Sequence, residues 1–176
     1  YVLSDEGQSI LVKWGFISIQ IPAQPATITL PSDGKLSVEG QVLNPLSLSI
    51  DDLKQHFASQ TADVAFLNGT DTVKVSFKGA KLWDILSAAQ PNFNADVKND
   101  KLSTFIVATG SDGYQAVIAW GDIDPDFGNL PILVAYEQDG KTLDAPRLVV
   151  PGDGHGGRYV SGLVNLSLRD APTVAQ

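Results

Sequence analysis

The sequence predicts a single α+β domain in which strand outweighs helix. Short apolar and β-branched runs recur through the C-terminal half, each bounded by Gly, Asp or Pro turn chemistry. Two earlier segments carry helical periodicity with identifiable starts and stops. A chain of 176 residues, 43% of them hydrophobic, supplies one substantial core, and no linker, internal repeat or low-complexity tract divides it.

The N-terminal third reads as β. Ile10 to Ile21, Ala26 to Leu30 and Lys35 to Val42 are strand candidates, separated by PAQP and PSDG. The most apolar of these runs, ILVKWGFISIQIP, contains Lys13 and is shorter than the roughly 20 residues a bilayer crossing needs, so no membrane span is expected. In LSIDDLKQHF, Ser49 is placed to cap the amide of Asp52 while the Asp52 carboxylate reaches back. This capping box opens a short helix with Leu53 and Phe57 on one face. A second helix follows in KLWDILSAAQ, where Leu82, Ile85, Leu86 and Ala89 recur with helical spacing before Pro91 stops it. Both helices are expected to pack on a sheet. Five strands then follow in TFIVATG, QAVIAW, PILVAYE, PRLVVP and VNLSLR, with turns at GSDG, at Asp139-Gly140 and at a glycine-rich loop. VNLSLR alternates, which predicts a half-buried strand with Val164, Leu166 and Leu168 inside and Asn165, Ser167 and Arg169 outside.

Charge and composition remove several functions. Twelve Lys+Arg against 20 Asp+Glu give a formal charge of -8, which repels nucleic acid and anionic membranes. With no cysteine, the chain has no disulfide framework, thiolate ligand or thiol nucleophile. The chain starts at Tyr1, as a processed product would, and an exported protein, periplasmic in a bacterial host, is expected.

The glycine-rich loop is VPGDGHGGRYVSG, Val150 to Gly162. Its glycines permit close backbone approach to an anion, and His155 and Arg158 offer positive donors. Against this, Asp153 opposes an anion, and the strand that follows fits neither a Walker loop nor a dinucleotide fingerprint. A ligand cradle and a flexible connection are both consistent with these residues. DIDPDFGN, Asp122 to Asn129, resembles a calcium loop until its sixth position, Phe127, and its twelfth, Leu133, fail; a solvated acidic turn is expected. His56 and His155 are the only imidazoles, and no positioned serine accompanies either, so a catalytic triad is not expected. Sequons at Asn68 and Asn165 read as chance. Tyr114, after the turn of Ser111 and Asp112, has a hydroxyl that could enter a site at the strand ends.

Taken in order, VEGQVLNPLSLSIDDLK, FKGAKLWDILSAAQ, VATGSDGYQAVIAWGDIDPDF and ILVAYEQDGKTLDAPRLVVPGDGHGGRYVSGLVNLSL resemble the sulfite-oxidase-like molybdopterin-binding domain family. The likeness runs from about Leu36 to Leu168, and single motifs in it are weak while their joint order is specific. The resemblance implies a largely β, mixed α+β fold over residues 36–170 behind an N-terminal β extension, 1–35. It also implies a molybdenum-bearing pterin cofactor and chemistry on small oxyanions or sulfoxides. In catalytic members a cysteine thiolate ligates molybdenum just before a glycine at the end of the strand that precedes the G-x-x-L helix. Aligning Gly69 of DVAFLNGTD with that glycine puts Leu67 at the thiolate position, and neighbouring Asn68 offers only a neutral amide oxygen. Arg147 and Arg158 match in place the basic residues that grip the pterin phosphate and substrate anion.

The expectation is therefore a binding or accessory module for molybdopterin, another pterin or a small anionic ligand, without molybdenum. Its expected site is Asn68, Ser111, Asp112, Tyr114, Asp153, His155 and Arg158. The loop amides and Arg158 would hold the anion, Tyr114 would offer a ring and hydroxyl, and Asp112 would cap its own turn. Two alternatives differ in class: a molybdenum-dependent oxidoreductase, and an interaction domain whose ligand is a protein partner.

Overall fold

A computed structural model describes residues 34–172. The strands expected at Ile10–Ile21 and Ala26–Leu30, and nearly all of the 1–35 extension, lie outside the described residues. The fold is α+β and largely β, as the sequence predicts. Its elements are β1 (Leu36–Gly40), β2 (Leu46–Leu48), α1 (Ile50–His56), β3 (Ser59–Asn68), β4 (Asp71–Lys81), α2 (Leu82–Ala89), β5 (Thr104–Gly110), β6 (Gln115–Ala119), α3 (Trp120–Ile123), β7 (Leu133–Gln138), β8 (Lys141–Val149) and β9 (Leu163–Asp170). They form two sheets, ordered β2-β1-β9-β5-β6 and β3-β4-β7-β8.

Local chemistry sets the elements as expected where it is strong. Asp52 N donates to Ser49 Oγ at 3.1 Å and Ser49 N to Asp52 Oδ2 at 2.8 Å, which closes the capping box of α1. In α2, Leu82, Ile85, Leu86 and Ala89 are all buried, and Gln90, left-handed at φ 56°, ends the helix before Pro91. β7 and β8 join through Asp139 and Gly140, at φ 49° and 76°, the pair of left-handed residues a tight hairpin turn requires.

Three features depart from the sequence reading. The longest hairpin, β3–β4, was not expected. Its turn has Gly69 at φ 65° in the first central position between paired Asn68 and Asp71, so Asn68-Gly69 marks a hairpin as well as a sequon. Next, β9 is buried on both faces: Asn165 is 1% and Ser167 6% exposed, because β9 is the central strand of five, between β1 and β5. Asn165 donates its amide to Glu39 Oε1 at 2.8 Å, so the second sequon is sealed. Finally, the acidic turn is only partly solvated. Asp124 is 1% exposed and accepts from Lys101 Nζ at 2.8 Å and Trp120 Nε1 at 3.0 Å. Burial pushes its pKa up, but these bonds and the Asp126 amide outweigh that and hold it below the ordinary aspartate value. Among the described residues no cluster of His, Cys, Asp or Glu is arranged to hold a metal ion.

The inner faces of both sheets share one core. Val38, Ile106, Ile118, Leu166 and Leu168 come from the first sheet and Val75, Phe77, Val134 and Leu148 from the second.

Candidate functional site

Alternation along β3 and β4 turns Phe66, Val73, Val75 and Phe77 to one side of the hairpin. Beside this apolar wall, in the same sheet, stand Gln138 of β7, paired with Phe77, and Arg147 of β8, and the loop residues His155, Gly156 and Gly157 join them. Together with Leu67, Asn68 and Gly69 they enclose a cavity of about 500 Å3. The glycine loop is tied to the hairpin edge, where Leu67 N donates to Gly154 O at 2.9 Å. Gly156 must be glycine for this fit, since a Cβ there would come within 2.9 Å of the Phe66 ring.

Arg147 is the chemical centre of the cavity. Its guanidinium carbon lies 5.5 Å from the centre of the Phe77 ring, a cation–π contact. It makes no hydrogen bond or ion pair with any described residue, and its buried Nε has no acceptor. Burial lowers its pKa, with the neighbouring Tyr159 pulling the other way, yet a guanidinium stays charged. Tyr159, 5% exposed, packs its ring 4.5 Å from Phe66 and 6.4 Å from Phe77, and its buried hydroxyl also has no partner among the described residues. Burial, and then Asp153, raise the Tyr159 pKa. Among the described residues no Asp or Glu lines the cavity.

The seven residues expected from sequence fall into three groups. Asn68 and His155 line the cavity. Tyr114, Asp153 and Arg158 fasten the loop that closes it. The Tyr114 hydroxyl donates to Gly157 O at 2.5 Å, and Arg158 donates to Asp153 through Nε at 2.8 Å and Nη2 at 2.5 Å, with Asp122 at 3.6 Å from Nη1. The hydrogen bond to Asp153 raises the Arg158 pKa, so this cation is already neutralised. Ser111 and Asp112 build the adjoining turn: Asp112 Oδ1 accepts from Tyr114 N at 2.9 Å, as expected, and Ser111 N donates to Gly162 O at 2.8 Å. Residue types alone did not reveal the apolar wall or the solitary cation. The alternation of Val73, Val75 and Phe77 with Lys74, Ser76 and Lys78 was the available signal for the first, and the in-place match of Arg147 for the second.

Leu67, at the position the resemblance gives to the thiolate, is 37% exposed in the cavity wall and brings no donor atom. Asn68 and His155 bring an amide and an imidazole but no thiolate sulfur. This set does not fit molybdenum held in the family manner.

No curated protein matches the chain in sequence. Among solved structures it is similar to the crystal structure of the sulfane dehydrogenase SoxCD from Paracoccus pantotrophus. The TM-score is 0.61 at 20% identity, over 82% of this chain and 40% of that one. The chain thus spans well under half the length of that relative, and the likeness shows the fold. The family model described as oxidoreductase molybdopterin binding domain matches residues 22–174, and this chain belongs to that family.

Proposed function

We propose that this chain is a non-catalytic binding or accessory member of its family, holding a pterin or another small anion in the cavity between the β3–β4 hairpin and the glycine loop. The observation that carries this reading is Arg147. A half-buried guanidinium with no carboxylate partner among the described residues is costly to fold around, and a bound anion offsets that cost. The aromatic side chains of Phe66 and Phe77 would hold the ligand's flat body, and Asn68 and His155 would border it. Asp153, Arg158 and Tyr114 would act by keeping the loop in place. Leu67 argues against the oxidoreductase alternative, because no other side chain supplies the missing thiolate.

The test is calorimetric titration of pterin and of small anions into the wild-type chain and Arg147→Ala, with metal analysis of protein made in a cofactor-synthesising host. Hydrogen bonds to a charged partner contribute about 1.5–3 kcal/mol, so Arg147→Ala should weaken binding about tenfold to a hundredfold. Stoichiometric molybdenum in the purified protein, or unchanged binding in the variant, would overturn the proposal.

A further inference from the structure

The cavity supplies one full positive charge. Arg147 is the only arginine or lysine among the described residues that line it, while Arg158 of the glycine loop is spent on Asp153 and Asp122. Asp71 opens β4 opposite Asn68 of the cavity lining, and the chain as a whole carries a charge of -8. A phosphate ester at neutral pH brings a charge of about −1.5 to −2, which a single guanidinium does not neutralise. A carboxylate brings one.

Geometry points the same way. The Nε edge of Arg147 is sealed from solvent, so the cavity is served by the two terminal nitrogens. Two parallel N–H donors on one planar group match the two oxygens of a carboxylate, and the match depends on the fork as well as on the charge. The cation–π contact with Phe77 fixes that fork beside an aromatic wall completed by Phe66. A ring attached to the bound carboxylate would run along this wall, and the pairing of ring and acid would use both of the cavity's features at once.

We infer that the ligand of this cavity is a planar aromatic carboxylate, bound end-on through the terminal nitrogens of Arg147, and not a phosphorylated molecule. The inference rests on the anion-binding reading above and narrows it: a carboxylated pterin qualifies and a phosphorylated one does not.

Three naphthalenes that differ only in their polar group test it: 2-naphthoate, 2-naphthyl phosphate and 2-naphthol, titrated calorimetrically at constant ionic strength and neutral pH into the full chain. The naphthoate should bind at least tenfold more tightly than the phosphate and than the naphthol. Arg147→Lys, which keeps the charge and loses the fork, should forfeit most of the naphthoate affinity, and its melting curve establishes that it is folded. A phosphate that binds as well as or better than the carboxylate, or an Arg147→Lys variant that keeps full naphthoate affinity, overturns the carboxylate inference and leaves the anion reading standing. Equal binding of naphthol, or binding of none of the three, overturns both.

Discussion

Tyr159→Phe should make the protein more stable. In the wild type the ring is packed against Phe66 and Phe77, at 4.5 and 6.4 Å between centroids, and phenylalanine keeps both contacts. The substitution removes one hydroxyl, which is buried and has no hydrogen-bond partner among the described residues. Leaving such a group unsatisfied costs about 1–3 kcal/mol relative to its hydrated state in the unfolded chain. The void left by one oxygen, and its lost contacts, return part of that, for a net gain of about 1 kcal/mol. For a chain of this size that raises the melting temperature by about 2–4 °C, readable by calorimetry or by the guanidinium midpoint at constant slope. The raised Tyr159 pKa adds a pH signature. The folded state holds the phenol neutral above the pH where the unfolded phenol ionises, so wild-type stability falls as pH rises past the ordinary value of 10.0, and the variant should lack this part of the decline. A loss of stability of about 1 kcal/mol instead would show that the hydroxyl is hydrogen-bonded in the native protein and would refute its being buried without a partner.

Asp124→Ala strands the indole N–H of Trp120, itself 2% exposed, and should cost about 2 kcal/mol by denaturant unfolding. Because the Asp124 pKa is depressed, its contribution is present above the ordinary value of 3.8 and is lost as pH falls through the lower folded value, so Asp124→Asn should flatten the acid limb of the stability profile. Gly40→Ala should cost at least about 3 kcal/mol or prevent folding, since Gly40 sits at φ 92° and a Cβ there would overlap the Leu168 carbonyl; expression and circular dichroism read this out. Arg158→Ala should leave the melting temperature nearly unchanged, because its ion pairs are partly exposed. It should speed proteolysis within Gly152–Gly157 and reduce anion affinity less than Arg147→Ala does.

Helices were legible because their ends are encoded locally. Ser49 and Asp52 close on each other within four residues, and Pro91 forbids continuation whatever the rest of the chain does. The C-terminal strands were legible for a similar reason, their turns being marked by Asp139-Gly140 and by Asp112-Gly113. The β3 strand was hidden by its composition: SQTADVAFLN is mostly exposed and alternates only toward its end, at Val64 and Phe66. Its existence depends on β4, so it is a property of a pair. Burial of Asn165 and Asp124 was illegible for another reason, since polar residues read as surface until their partners, Glu39 and Lys101, are known to lie beside them. The candidate site combined both failures. Sequence pointed to the loop, where glycine, His155 and Arg158 stand out; the resemblance matched Arg147 in place, but the expected site left it out, because its importance lies in having no ion-pair partner among the described residues.

The placement of β9 between β1 and β5 also orders events during synthesis. β1 pairs with β9 in parallel, Ser37 opposite Asn165 and Gly40 opposite Leu168, across a separation of about 128 residues. As the chain leaves the ribosome, α1, the β3–β4 hairpin and the β7–β8 hairpin can each close on their own neighbours, while β1 and β5 wait with open edges for the last strand to appear. Completion of the five-stranded sheet, though not the β1–β2 and β5–β6 pairs within it, therefore waits for β9. A nascent or truncated chain ending before Leu163 would contain every cavity-lining residue yet expose two unpaired edges, on β1 and β5, and be prone to aggregation.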